Sequence, residues 1–113
     1  MAKVEITESL FKKIEKKFKR EAHKIIDLFE TLEDNPKKGK YLARVGGIVI
    51  KELKYESFRF YFITDGLKLK FLKVEELSDL LIKFIRMSDK NSQQKTINEI
   101  KGVLRSLGEE GFK

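Results

Sequence analysis

The chain has no cysteine, no tryptophan, one proline and one histidine in 113 residues. Without cysteine it has no disulfide, no thiolate metal site and no cysteine nucleophile. A lone His23 leaves no basis for a histidine metal site or a serine–histidine triad. No apolar stretch is long enough to span a bilayer, and the opening MAKVEITESL holds no apolar signal core. The expectation is a soluble cytoplasmic chain with no membrane partner. A phosphate-cradling glycine loop is also missing, since Gly46-Gly47 stands alone with no helix after it. Asp and Glu are scattered, without the close spacing of a metal-dependent nuclease. No cofactor and no metal are therefore expected, and any catalysis falls to Lys, Arg, Tyr, Glu or His23.

Lysine is what the chain has in abundance. Lys and Arg number 25 against 18 Asp and Glu, for a formal net charge of +7. A basic surface raises the local concentration of polyanions and speeds encounter with them. Nucleic acid is the first candidate partner and an acidic protein the second, although Lys/Glu-rich surfaces also occur for reasons of heat stability. The hydrophobic fraction is 41%, with nine Phe and three Tyr. That is enough for one packed core, and the length suits one domain.

Periodicity predicts an α+β order. Residues 2–6 read as a short strand and Thr7 as a helix N-cap. Over 8–34, Phe11, Ile14, Phe18, Ala22, Ile25, Phe29 and Leu32 recur three or four apart, forming one apolar stripe. This is either one long helix or two meeting near Lys19–Ala22. Asn35-Pro36 ends it, because the residue before proline leaves the helical region. Strands follow at 41–45, 48–54 and 57–63, the first two joined at Gly46-Gly47. Asp65-Gly66 reads as a hairpin turn, with 67–74 as the returning strand because Leu67, Leu69 and Phe71 alternate with lysines. Residues 75–87 fit either a helix or, from Leu80 to Met87, a strand. Residues 93–107 read as a helix ended by Gly108, and 109–113 as a loose tail. The expected fold has an N-terminal strand and helical hairpin packed on a small antiparallel sheet of four to five strands, with a C-terminal helix.

Three groups of side chains could carry chemistry. The polar face of the long helical segment holds Lys12, Lys13, Lys16, Lys17, Lys19, Arg20 and Lys24. It is either a solvated face or a rail for phosphates. His23 lies within it and reads as an ordinary surface histidine. In the strand 57–63, alternation puts Phe58, Phe60 and Phe62 on one face and Arg59 and Tyr61 on the other. Arg59 between aromatic residues is either paired with Glu52 or Glu56, or exposed on a concave working face. Lys54 and Glu52 share a face, with Lys51 opposite. The third group, Arg86, Ser88, Lys90, Gln94 and Lys95, sits where sheet meets helix and forms either a cap or a phosphate site. One metal-free chemistry fits this inventory. RNA supplies its own 2′-hydroxyl nucleophile and needs a base, cations on the phosphate and a proton donor.

The element order, with Leu32-Glu33-Asp34-Asn35-Pro36 and Gly39 between helices and sheet, resembles the RelE/ParE superfamily of type II toxin–antitoxin toxins. Lys51-Glu52-Leu53-Lys54 followed by Phe58-Arg59-Phe60-Tyr61-Phe62 looks like that family's central strand pair. Phe84 through Lys90, then Gln93-Gln94-Lys95-Thr96 and Glu99-Ile100, is similar to the ending of HigB-like and phage-derived members, and favours a strand for 80–87. The resemblance spans nearly the whole chain as one domain, 1–113. It implies a ribosome-associated messenger-RNA endoribonuclease, inhibiting translation and silenced by a cognate antitoxin. It also admits a catalytically inactive binding module, or a ParE-like inhibitor of a protein such as gyrase. Carried over by position, Arg59 matches the phosphate-contacting strand arginine, Lys54 the basic residue of the preceding strand, and Lys90 the C-terminal lysine, with Arg86 nearby. Lys12, Lys13, Lys16, Lys17, Lys19, Arg20, Lys24 and Lys95 would then face RNA. The chain departs from the family pattern in three places. Glu52 stands where ribosome-dependent cleavers often carry a cation, although HigB-like members often have Glu there, no C-terminal Tyr or His follows Met87, and the segment from Val74 to Leu80 is expanded.

Overall fold

Thr7 sets the first boundary: its hydroxyl accepts from the Leu10 N–H and ends strand β1 (Lys3–Ile6) where helix α1 (Glu8–Phe18) begins. The computed structural model describes residues 1–113. Of the two readings of 8–34, two helices is the observed one. Lys19 takes φ +50°, Lys19–Glu21 form a tight turn, and α2 runs Ala22–Glu30. A left-handed φ at a non-glycine residue breaks the helical ladder, so α2 folds back beside α1. The apolar stripe is shifted by one residue at its start. Leu10 is buried and Phe11 is exposed, while Ile14, Ile25, Phe29 and Leu32 are in the core as expected.

The sheet has the order β1-β5-β4-β3-β2, with β2 Lys40–Val45, β3 Ile48–Tyr55, β4 Phe58–Asp65 and β5 Leu81–Asp89. The expectation of an antiparallel sheet is corrected at one edge, because β1 pairs with β5 in parallel and makes the sheet mixed. β5 joins β1 only after β2, β3 and β4 have formed the rest of the sheet, which no local pattern reports. The Leu80–Met87 alternative for the ambiguous segment is the one observed. β5 lies between β1 and β4, with Ile82, Phe84 and Ile85 almost wholly buried.

Residues 67–74 are not a strand. Asp65 does not close a hairpin: its carboxylate accepts from the N–H groups of Leu67 and Lys68 and caps a short helix, α3 (Gly66–Phe71). Gly66 is needed there because a Cβ would sit 2.6 Å from the Val49 side chain. The alternating Leu/Lys pattern, wound into a helix, leaves Leu67 and Phe71 on the surface.

The sheet separates two apolar clusters. On one face α1, α2 and the turn Thr31–Glu33 pack Leu10, Ile14, Ile25, Phe29 and Leu32 against Leu53, Phe60, Phe62, Ile82 and Phe84. Phe29 stacks on Phe84 at 3.7 Å between ring centroids. Each fully buried side chain of this size contributes roughly 1.5–3 kcal/mol. On the other face α4 (Gln93–Leu107) lays Ile100 and Leu104 on Ile50, Tyr61, Ile63 and Ile85. Gly108, at φ +70°, ends α4 as expected. The tail after it is not loose. Phe112 is buried in the second cluster, and the Lys113 carbonyl accepts from the Ser9 N–H. No helix is long and apolar enough to cross a membrane.

Candidate functional site

Strand register decides which candidate residues meet. Lys54, Arg59 and Ser88 stand side by side across β3, β4 and β5. In the next row of the same face stand Glu52, Tyr61 and Arg86. The β4–β5 register shifts between Tyr61 and Phe62, and this irregularity leaves both Ile85 and Arg86 on the α4 side of the sheet. Three residues proposed for catalysis, Lys54, Arg59 and Arg86, are therefore gathered at one end of the sheet.

Their charges are not equally free. Arg59 is 6% exposed and Glu52 4%, and Arg59 Nε lies 3.3 Å from Glu52 Oε2. Of the two readings of Arg59, the Glu52 pair is the one observed. Its Nη1 also donates to the Phe58 carbonyl. Arg86 donates from Nε to Glu99 at 2.8 Å and from Nη1 to the Ile85 carbonyl, and its guanidinium lies 5.0 Å from the Phe112 ring centre. Lys54 is exposed and belongs to no salt bridge.

Tyr61 and Ser88 complete the row. Ser88 Oγ donates to the Asp89 carbonyl at 2.9 Å, which uses its only proton. The 2.7 Å contact between Tyr61 and Ser88 therefore has the phenol as donor. Burial pushes the Tyr61 phenol above its ordinary pKa. It is thus held neutral, as a proton-bearing group beside Arg59.

The strand-to-helix group does not gather around a common point. Asp89 caps the turn Lys90–Ser92 by accepting from the Ser92 N–H, Thr96 bonds back to the Ser92 carbonyl, and Gln94 donates to Asn98. These are local caps, and Lys90 and Lys95 project into solvent.

All seven cations of the α1–α2 rail are exposed. Lys12 pairs with Glu8 and Lys24 with Glu21. Lys13, Lys16 and Lys17 surround Met87, and Lys17 Nζ lies 4.9 Å from the Phe58 ring centre. Phe58 precedes Arg59 in β4, so these lysines and Lys54 occupy opposite faces of the same end of the sheet. Lys19 and Arg20 line a separate cleft with His23, whose Nδ1 is 2.7 Å from the Arg20 carbonyl. No group of three or more Asp, Glu or His side chains is placed to hold a metal ion. Comparison with known proteins finds no matching family model, no matching curated protein and no matching solved structure.

Proposed function

We propose that the chain is a toxin of the RelE/ParE type that acts on messenger RNA in the cytoplasm, cutting it without a metal ion and held in check by a cognate antitoxin. The observation that carries this reading is the row Lys54–Arg59–Ser88 with Glu52 and Tyr61 beside it, at the sheet end flanked by Lys13, Lys16 and Lys17. Incoming phosphate replaces Glu52 at the Arg59 guanidinium, as an anion that can take the same charge-assisted bonds. The released Glu52 carboxylate accepts the 2′-hydroxyl proton. The 2′-oxygen bonds to phosphorus while the bond to the 5′-oxygen breaks, leaving a cyclic phosphate and a 5′-hydroxyl that takes its proton from the exposed Lys54 ammonium. Lys54 and Arg59 balance the charge that develops on the phosphate. The lysines on α1 hold the strand by its backbone, a salt-sensitive attachment.

One observation favours a second reading, a binding module that does not cut. Arg59 and Glu52 are both under a tenth exposed and already satisfy one another. Induced expression with transcript mapping separates the two. Growth arrest with cleaved messenger RNA, reduced about 100-fold or more by Lys54→Ala or Arg59→Lys, supports the nuclease. Intact transcripts with salt-dependent RNA retention support the module. Normal growth, intact transcripts and no RNA retention by folded protein would sink both.

A further inference from the structure

A second basic site lies on the opposite face of the sheet from the Lys54–Arg59 row. Tyr41 pairs with Lys51 and Arg44 with Val49 in the β2–β3 register. The register shift between Tyr41 and Ala43 brings Tyr41 and Arg44, three residues apart, onto one face. Lys37 and Gly39 from the loop before β2, and Gly66, Leu69 and Lys70 from α3, wall a cleft of about 320 Å³ over them. That is roughly ten times the volume one water occupies in the liquid, about 30 Å³, and well beyond a single small ion.

The lining contains four cations, Lys37, Arg44, Lys51 and Lys70, and no carboxylate. None of the four takes part in the chain's salt bridges. Lys51 is only 7% exposed. Its ammonium has one hydrogen bond, to the Lys37 carbonyl at 2.9 Å, although it carries three donors. A lysine at a mid-strand buried position, without a counter-charge, is costly unless something supplies the missing anion. Gly39 keeps the loop close: its φ is +107° and a Cβ would lie 2.7 Å from the Phe62 ring. Tyr41 stands exposed at the rim and Leu69 beside it, so the mouth of the cleft is partly apolar.

We propose that this cleft binds the phosphate chain of a nucleotide, with Lys51 at its floor, Arg44, Lys37 and Lys70 around the phosphates, and the Tyr41 ring against the base. Several phosphates in a row match several cations around one cavity better than a lone carboxylate does. Arginine adds a bidentate contact that lysine lacks. The stacked base gives the ligand a second point of attachment. The same chemistry is offered by a free nucleoside triphosphate and by the 5′-triphosphate end of an RNA.

Calorimetric titration of the full chain at ~150 mM salt, where loose surface attraction is screened, tests this with ATP, tripolyphosphate and a short RNA carrying a 5′-triphosphate. The expected result is saturable binding of one ATP per chain, competed by tripolyphosphate. Arg44→Gln and Lys51→Met should each weaken it by about tenfold, one hydrogen-bonded charge contact apiece. Lys3→Gln and Arg105→Gln, far from the cleft, should leave it unchanged. Tighter binding of the 5′-triphosphate RNA than of ATP assigns the source as RNA; the reverse assigns it as free nucleotide. Because Arg44 is on the surface, its variant tests the site even where Lys51→Met perturbs folding. No saturable heat with any of the three ligands, or equal weakening by Lys3→Gln and Arg105→Gln, overturns the assignment. Neither result bears on the Lys54–Arg59 row, which these variants do not touch.

Discussion

The two faces of the sheet treat positive charge in opposite ways. On the α4 face the buried Arg59 is paired with Glu52 and the half-buried Arg86 with Glu99, Tyr61 donates to Ser88, and the unpaired Lys54 of the same row is exposed to solvent. On the opposite face, beside α3, Lys37, Arg44, Lys51 and Lys70 surround a cleft with no carboxylate among its lining residues. A complete buried pair takes a new anion only by giving up its own, whereas uncompensated cations around a cavity are an electrostatic deficit that a ligand can fill directly. The position of a charge on the sheet therefore says less about its task than whether its partner is already present.

The largest effect is expected from breaking the complete pair. Arg59→Ala strands the Glu52 carboxylate among buried neighbours, and loss of one partner of a buried pair costs about 3–5 kcal/mol. Urea unfolding should show the midpoint fall sharply. The double variant Arg59→Met, Glu52→Leu removes both charges together and should recover most of that loss, since apolar replacement of a buried pair is often neutral or stabilising. Failure of the double variant to recover would mean the pair is coupled to further groups, and Lys54 and Tyr61 would be the first to examine.

A smaller, asymmetric effect is expected one row along. Ser88→Ala leaves the buried Tyr61 phenol without its acceptor, a loss of about 1–3 kcal/mol. Tyr61→Phe removes the donor but leaves Ser88 bonded to the Asp89 carbonyl, so its cost should be nearer 1 kcal/mol. Equal losses in the two variants would contradict the donor assignment.

How much of this was readable before the fold was known differs between the faces. Alternation in β4 placed Arg59 and Tyr61 together, and Glu52 was one of two carboxylates within reach. The pair was therefore legible as one of two choices. The break at Lys19 was legible only as one of two readings of 8–34, at a dense charge cluster, whereas α4 was legible as an unbroken apolar periodicity. The second cleft was not. It depends on an irregularity in β2, on a loop and on α3, which an alternating Leu/Lys pattern disguised as a strand. The local signal against a strand was Asp65-Gly66 itself, because Asp before a run of free N–H groups caps helices as readily as it turns hairpins. Lys51 was a further clue: a lysine flanked by Ile48, Val49, Ile50 and Leu53 in a strand demands either an edge position or a reason to be buried. The parallel pairing of β1 with β5 had no local signal, since it joins segments far apart in sequence, Lys3 with Leu81.

The mildest expected effect is on the uncompensated side, and its sign distinguishes the two faces. Burial pulls the Lys51 ammonium below its ordinary pKa of 10.5. Between the lowered value and 10.5 the unfolded chain holds a proton that the folded chain has released, so folding stability rises with pH across that window. Below the window the folded chain carries the full penalty of a buried charge. Lys51→Met deletes the penalty while keeping most of the packing, and should stabilise the protein at neutral pH by about 1 kcal/mol, a common size for a single site. Its advantage over the unmodified chain should shrink as the pH approaches 10.5. Arg59→Met, by contrast, should destabilise at neutral pH because it removes the partner of a charge that stays. Were Lys51→Met destabilising at neutral pH and insensitive to alkaline titration, Lys51 would have to be compensated within the chain, and the two faces would no longer differ in kind.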